Sequence, residues 1–161
     1  MNLVHIFLAI GFFAGVVQQN QHIQVLKGHE WSVTTLDINK GGDMLLSGGW
    51  DNTMILWDLS NDSILYKFNN HSDMIWDVAF SPDERYVASA SWDASINLWD
   101  IETKELVFRF KHAQKFRFTQ TEPFYQERMV PNMVNTIAFS PDGRLLASGS
   151  SDGIIRIWDL T

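Results

Sequence analysis

Apolar residues along this chain follow a strand-like spacing that occurs three times. In each place they stand at positions i, i+3 and i+5, which is neither helical nor strictly alternating. This spacing predicts a β-strand with one extra residue after its first core position, which is a bulge. The apolar positions are Val33, Leu36 and Ile38, then Ile75, Val78 and Phe80, and then Val134, Ile137 and Phe139.

Turn residues and further short apolar runs divide each unit into four predicted strands. The bulged strand is followed by a turn such as residues 81–84 or 140–143, in which Ser-Pro-Asp favours a type I turn. A second strand then leads through a tight turn carrying an Asp into a third strand, and a fourth apolar run follows at 64–68 and 106–110. Four short antiparallel strands make one propeller blade. The fold class predicted is therefore all-β, a partial β-propeller of about three blades plus a half-blade.

The third predicted strand of each unit ends on Trp-Asp, at residues 57–58, 99–100 and 158–159. The first two units are related by an offset of 42 residues, and the third keeps the pattern at an offset of 59, so about 17 residues are inserted before it. A repeat of this period that closes on Trp-Asp indicates stacked four-stranded blades.

The repeated motifs carry a resemblance to a known family. Gly-His, Ser-Pro-Asp-Gly, Leu-Ala-Ser-Gly-Ser-x-Asp and Ile-Trp-Asp recur in order, and the segments 29–58, 71–100 and 134–159 resemble WD-repeat units of β-propellers. The resemblance covers residues 22–161 apart from an insertion at about 113–132. It implies that one His, Ser, Asp and Trp of each unit form a buried hydrogen-bonded tetrad, and such a network makes a unit rigid.

Carried over position by position, two units have complete tetrads and the third lacks its His. Val130 stands at the expected position of that His, and the nearest candidate, His112, lies across the insertion, so the sequence leaves the third network incomplete. The tetrad residues are His29, Ser47, Asp51 and Trp57, then His71, Ser89, Asp93 and Trp99, and then Ser148, Asp152 and Trp158.

The Ser, His and Asp of a tetrad are also the residue types of a nucleophilic triad. A hydrolase needs one such group beside an oxyanion hole and gains nothing from repeating it in every blade. We therefore favour the structural interpretation and expect no catalytic residue, metal site or cofactor. A propeller hydrolase is the weaker alternative.

The family commonly holds partners on the propeller face where the bulge and the Asp turn lie together. The positions that the resemblance brings to this face include three Trp and two Met, a composition associated with protein-binding hot spots. The other interpretation of Trp76 is that it packs between neighbouring blades. The candidate partner-binding residues are Trp50, Met74, Trp76, Trp92, Met133 and Asn135, with Ser32, Thr34 and Ser151 beside them.

Two segments fall outside the repeats. Residues 3–17 form an uncharged apolar run, so 1–21 is either a leader or anchor segment or a decayed half-blade that resembles residues 145–155. The insertion carries basic residues among aromatic ones, which fits either an ordered flap or a solvated hairpin. We expect a cytoplasmic protein, or a secreted or membrane-anchored one if residues 3–17 act as a signal.

The composition of the chain limits the classes of partner and of site that are expected. The chain of 161 residues has a net charge of −7 and no basic cluster, so nucleic acid is not expected as a partner and a membrane surface is disfavoured. There is no Cys, which excludes disulfides and thiolate metal sites. The expected function is a non-catalytic scaffold that binds a protein or peptide on the top face. The alternative is a fragment of a larger multidomain regulator.

Closure of the ring sets a further expectation. Three units and a half do not close a propeller, which is built from about four to eight blades. In family members that close, the first strand of the chain completes the last blade, and residues 22–27 are the candidate here. We therefore expect a homo-oligomer or a part of a longer propeller.

Overall fold

The computed structural model describes residues 24–112 and 132–161, and these residues form strands and turns without a helix. The strands are β1 (Val33–Ile38), β2 (Met44–Gly49), β3 (Thr53–Asp58), β4 (Ser63–Asn69), β5 (Ile75–Phe80), β6 (Tyr86–Ser91), β7 (Ser95–Asp100), β8 (Leu106–Lys111), β9 (Val134–Phe139), β10 (Leu145–Ser150) and β11 (Ile155–Asp159). The apolar run at 3–17, with its half-blade interpretation, and the insertion up to residue 131 lie outside the described residues. No helix that could cross a bilayer occurs within the two described stretches.

Each repeat forms one antiparallel sheet. The sheets are blade 1 (β1–β4), blade 2 (β5–β8) and blade 3 (β9–β11), with strand orders β1-β2-β3-β4, β5-β6-β7-β8 and β11-β10-β9. This confirms the predicted all-β fold of four-stranded antiparallel blades for the first two units. Blade 3 consists of three strands among the residues described.

The predicted bulges are confirmed by the strand registers. In β1 the register shifts between Val33 and Thr35, and in β5 it shifts between Ile75 and Asp77. The pairing of β9 with β10 shifts between Gly149 and Ser150. The extra residue turns each inner strand near the end that carries the Asp turn, which is the end where the candidate partner-binding residues lie.

The apolar core consists of two clusters that lie between blades, which we call the first and second seams. Each seam joins the face of one blade to the opposite face of the next, because alternate side chains of a strand point to opposite sides of its sheet. The first seam comprises Leu46, Met54, Leu56 and Phe68 of blade 1 with Ile75, Val78, Val87 and Trp99 of blade 2. The second comprises Ala88, Ala90, Ile96, Leu98 and Phe110 of blade 2 with Val134, Ile137 and Leu146 of blade 3, and Trp158 packs against it.

Hydrogen bonds between inner strands add to the seams. Thr34 Oγ1 donates to Ile75 O at 2.5 Å, and the backbone N–H of Phe80 donates to Asp37 at 2.8 Å. The backbone N–H of Ile137 donates to Asp77 at 2.8 Å. The three inner strands are thereby fixed side by side, so that the same end of every blade faces the same way.

Candidate functional site

The structure brings the four tetrad residues of blade 1 together in one hydrogen-bonded chain. His29 Nδ1 lies 2.9 Å from Asp51, and His29 Nε2 lies 2.7 Å from Ser47 Oγ. Trp57 Nε1 donates to the same Ser47 hydroxyl at 2.8 Å. Asp51 also accepts the backbone N–H of Glu30 at 2.9 Å. The chain ties the loop before β1 to β2, to the turn after β2 and to β3.

In blade 2 the structure brings together three of the four tetrad residues. His71 lies 2.8 Å from Ser89 and 2.9 Å from Asp93, while Trp99 Nε1 has no hydrogen-bond partner although it is buried. The ring of Trp99 lies against Phe68 of blade 1, with the ring centroids 5.1 Å apart.

Asp93 is ionised despite its burial. Burial disfavours the charged form, but the hydrogen bond and the charge of His71, together with the hydrogen bond of Ser95, hold the pKa of Asp93 well below its usual range. Arg109 of β8 completes the group, with its guanidinium 2.9 Å from Asp93. The outer strand of blade 2 therefore supplies a positive charge to the Asp turn.

Blade 3 has a His in its network after all, contrary to the gap left by the sequence. His112 Nε2 lies 3.1 Å from Ser148 Oγ, which also accepts the Trp158 N–H at 2.9 Å. Asp152 does not reach this His directly. Arg156 stands between them, 3.1 Å from His112 Nδ1 and 2.8 Å from Asp152.

The sequence named His112 as the nearest candidate but left it out of the network, because the third unit was aligned from its C-terminal half and the insertion separates the two. His112 follows two residues after Phe110 of β8, much as His71 follows three residues after Phe68 of β4. Counting forward from the preceding strand would have found it. Burial and the neighbouring charge of Arg156 lower the pKa of His112, so its neutral ring accepts the Arg156 N–H.

The serine residues of these networks are buried. Ser47, Ser89 and Ser148 each expose 3% of their surface or less, although Ser47 and His29 also line a groove on blade 1. No group of His, Cys, Asp and Glu that could hold a metal ion occurs in the part of the chain that the structure describes. The networks join strands and loops within each blade.

A repeated backbone hydrogen bond holds the candidate partner-binding residues at the end of each blade. Trp50 N donates to Ser32 O at 2.9 Å, Trp92 N donates to Met74 O at 3.0 Å, and Ser151 N donates to Met133 O at 2.9 Å. The residue before each Asp turn is therefore fixed beside the start of the inner strand. Of the remaining candidates, Met74 and Met133 are half-buried and Asn135 is exposed.

Aromatic side chains dominate this surface on blades 1 and 2. Trp76 and Trp92 stack with centroids 4.7 Å apart, and both are half-buried. Trp50 is 46% exposed, and Trp31, which the repeat pattern did not predict for this surface, is 68% exposed. We call Trp31, Trp50, Trp76 and Trp92 the aromatic rim. Trp31 breaks the repeat, since Asp73 stands at its position in the second unit, and that departure was the available signal.

Comparison with known proteins agrees with this architecture. A family model described as WD domain, G-beta repeat matches residues 20–58, 62–100 and 129–159. The chain is 28% identical over 160 residues to WD repeat-containing protein SL1-17 of Schistosoma mansoni, covering 83% of the chain and 52% of the relative. It is 30% identical over 136 residues to small ribosomal subunit protein RACK1y of Oryza sativa subsp. japonica, covering 84% of the chain and 37% of the relative. The chain thus spans about half or less of the length of these relatives.

Proposed function

We propose that this chain, which belongs to the WD-repeat family, is a non-catalytic interaction scaffold that holds a protein or peptide partner against its aromatic rim. The rim is the observation that carries the proposal. It consists of three Trp side chains on loops and of Trp76 in strand β5, and Trp is among the residue types enriched in binding hot spots. Little conformational entropy is lost when a partner binds such a preorganised surface.

Burial of the Ser hydroxyls supports a non-catalytic role. The Ser-His-Asp groups of blades 1 and 2 have the separations of a catalytic triad, but Ser47 and Ser89 lie in the interior. Repetition of the same group in successive blades fits a device that joins strands, because one active site needs one triad.

The relatives and the charge of the chain support the class of partner. RACK1y is named a small ribosomal subunit protein, and a Brugia malayi relative, 37% identical over 65 residues that cover 40% of the chain and 20% of the relative, is named eukaryotic translation initiation factor 3 subunit I. Both names describe components of larger assemblies. For this chain we propose protein partners and a cytoplasmic location. Its net charge of −7 argues against direct contact with nucleic acid.

The proposal is tested with peptides selected from a random display library against the purified chain. We expect Trp50→Ala and Trp92→Ala each to weaken binding of the selected peptides by about thirtyfold, since hot-spot side chains contribute about 2 kcal/mol or more. Phe108→Ala is the matched control, because Phe108 is an exposed aromatic residue on the outer strand β8, away from the rim. Its affinity should stay within twofold of the wild type.

Urea unfolding separates binding from folding in these variants. Trp50→Ala should unfold close to the wild-type midpoint because the Trp50 side chain is largely in solvent. A stability loss above about 3 kcal/mol for Trp76→Ala or Trp92→Ala would show that the stacked pair is a core element and not a binding surface. Unchanged peptide affinity in folded rim variants would overturn the proposed function.

A further inference from the structure

Apolar side chains are exposed at both ends of the blade array, at positions that are buried in the seams. Leu36 of blade 1 is 62% exposed, whereas Val78, its equivalent 42 residues later, is 4% exposed within the first seam. Ile157 of blade 3 is 59% exposed, whereas its blade 1 equivalent, Leu56, is fully buried. Each end of the array therefore exposes one half of a seam. Blade 1 exposes the face that packs on the preceding blade in a seam, and blade 3 exposes the face that packs on the following blade.

The half-seam on blade 1 is a groove, which we call the head groove. Its apolar lining residues are Leu26, Trp31, Val33, Leu36, Leu45 and Trp57, and its other lining residues are Gln24, Lys27, Gly28, His29 and Ser47. Leu26 stands 42 residues before Phe68, and Phe68 packs on Trp99 just as Phe110 packs on Trp158. Residues 24–27 thus lie beside Trp57 where the outer strand of a preceding blade would lie, yet they are paired in no sheet.

The half-seam on blade 3, which we call the tail face, centres on β11. Ile155 and Ile157 stand where Met54 and Leu56 stand in blade 1, and both side chains are exposed. In blades 1 and 2 the third strand pairs with an outer fourth strand, but β11 pairs only with β10 among the described strands. One edge of β11 is therefore available to a further strand.

We propose that the tail face of one copy of this chain docks into the head groove of a second copy, with β11 pairing against residues 24–27 of that copy. The register follows from β3 and β4, in which Met54 faces Phe68 and Leu56 faces Tyr66. Transferred to the interface between copies, Ile155 faces Leu26 and Ile157 faces Gln24. Strand addition of this kind supplies main-chain hydrogen bonds as well as apolar contact.

Charge favours residues 24–27 as the occupant of this edge. In blade 2 the outer strand supplies Arg109 to Asp93 at 2.9 Å, whereas in blade 3 the third strand itself supplies Arg156 to Asp152 at 2.8 Å. Asp152 already has Arg156 as its counter-charge, so the strand that completes blade 3 does not have to supply a cation. A cation opposite Arg156 would be repelled by the charge of Arg156. The residue that the register places opposite Arg156 is Val25.

Closure also favours a second copy. A contact between two different faces forms a closed ring only when the rotation that relates successive copies leads back to the first copy. Otherwise the copies assemble into open filaments. Two copies of the three blades formed by residues 24–112 and 132–161 provide six blades, which lies within the range of about four to eight that propellers use. Both half-seams of both copies are then covered in one closed dimer.

The test is the mass of the 161-residue chain in solution by size-exclusion chromatography with light scattering. We expect twice the 18.5 kDa chain mass for the wild type, and the single-chain mass for Leu36→Asp and for Ile157→Asp. Val107→Asp is the matched control. Val107 is 49% exposed and belongs to neither seam, although it lines a groove beside blade 3, so its variant should remain a dimer.

Mixing the two monomeric variants tests the head-to-tail arrangement. A Leu36→Asp chain keeps its tail face and an Ile157→Asp chain keeps its head groove, so an equimolar mixture contains one intact seam and should recover dimer. A wild-type monomer at high concentration, or loss of the dimer in Val107→Asp, overturns the proposal. Failure of the mixture to recover dimer overturns the arrangement.

A crosslink gives a second measurement should the Asp variants not fold. The chain contains no Cys, so Leu26→Cys/Ile155→Cys places the only thiols at one facing pair of the interface. Mild oxidation should give a covalent dimer, while each single Cys variant should stay uncrosslinked. Equal crosslinking of a single variant would contradict the register.

Discussion

At the scale of single residues, the three buried networks connect their His to their Asp in two different ways. In blades 1 and 2 the His ring lies directly against an Asp, at 2.9 Å in both cases. In blade 3 the guanidinium of Arg156 separates His112 from Asp152. An Arg presents several donors in a fixed plane, so it can bind a carboxylate and a neutral imidazole at the same time.

This difference changes the expected effect of removing Asp152. The sequence alone predicts a smaller cost for Asp152→Ala than for Asp51→Ala, because the His of the third unit is missing from the alignment. In the structure, Asp152→Ala leaves Arg156 partly buried without its counter-charge and still facing His112. We expect both variants to lower the free energy of unfolding by about 1–3 kcal/mol, as measured by urea denaturation.

The double variant Asp152→Ala/Arg156→Leu is the control for this comparison. It removes the unpaired charge together with its partner, and replacing both partners by apolar groups costs less than removing one. It should therefore be more stable than Asp152→Ala alone. A change of only a few tenths of a kcal/mol in Asp152→Ala would show that Arg156 finds solvent instead.

At the scale of single elements, the turn between the second and third strands of each blade requires a left-handed residue. This residue follows the Asp of the network and has φ of 62° at Asn52, 66° at Ala94 and 78° at Gly153. Asn and Gly adopt this region readily, whereas the Cβ of Ala makes it costly by about 1–2 kcal/mol. Blade 2 therefore carries strain that the other two blades avoid.

We expect Ala94→Gly to stabilise the protein by about 0.5–1 kcal/mol, because relief of this strain outweighs the greater freedom of Gly in the unfolded chain. Gly153→Ala is the reverse experiment at the equivalent position. A Cβ there meets no atom within 4 Å, so the loss in stability reports backbone strain alone. Thermal unfolding of the two variants should show shifts of opposite sign, and a destabilised Ala94→Gly would contradict the argument.

Strands, bulges and turns could be predicted because each depends on a few residues close together in the chain. The i, i+3, i+5 spacing located all three bulges, and Trp-Asp marked the end of every third strand. The unpaired N–H of Trp99 could not be predicted, since its bonding depends on how two blades pack and not on its repeat position. The place of His112 in the third network was not predicted because an insertion separates it from the rest of its repeat, and Trp31 was missed because it interrupts the repeat.

At the scale of the whole molecule, the seams account for most of the apolar core. Blade 2, which lies between two neighbours, contributes buried residues to both seams, such as Val78 to the first and Leu98 to the second. Blades 1 and 3 each have one covered face and one exposed face among the described residues. Exposed apolar residues such as Leu36 and Ile157 contribute little to stability as they stand. Covering them in a further seam would stabilise the folded state by roughly 25 cal/mol per Å² of apolar surface removed from water.

The proposed dimer therefore couples association to folding. A contact that forms only between folded copies shifts the unfolding equilibrium by mass action, so the melting temperature should rise with protein concentration. We expect this rise for the wild type and for Val107→Asp, and a flat dependence for Leu36→Asp. Calorimetry over a hundredfold range of protein concentration measures this dependence.

The aspartate in Leu36→Asp lies on an exposed surface of the single chain. The melting temperature of this variant should therefore equal that of the wild type at the lowest concentration, and it should be lower only at concentrations where the wild type associates. A constant offset between the two would instead mean that Leu36 stabilises the single chain, which would leave the head groove without a role in association.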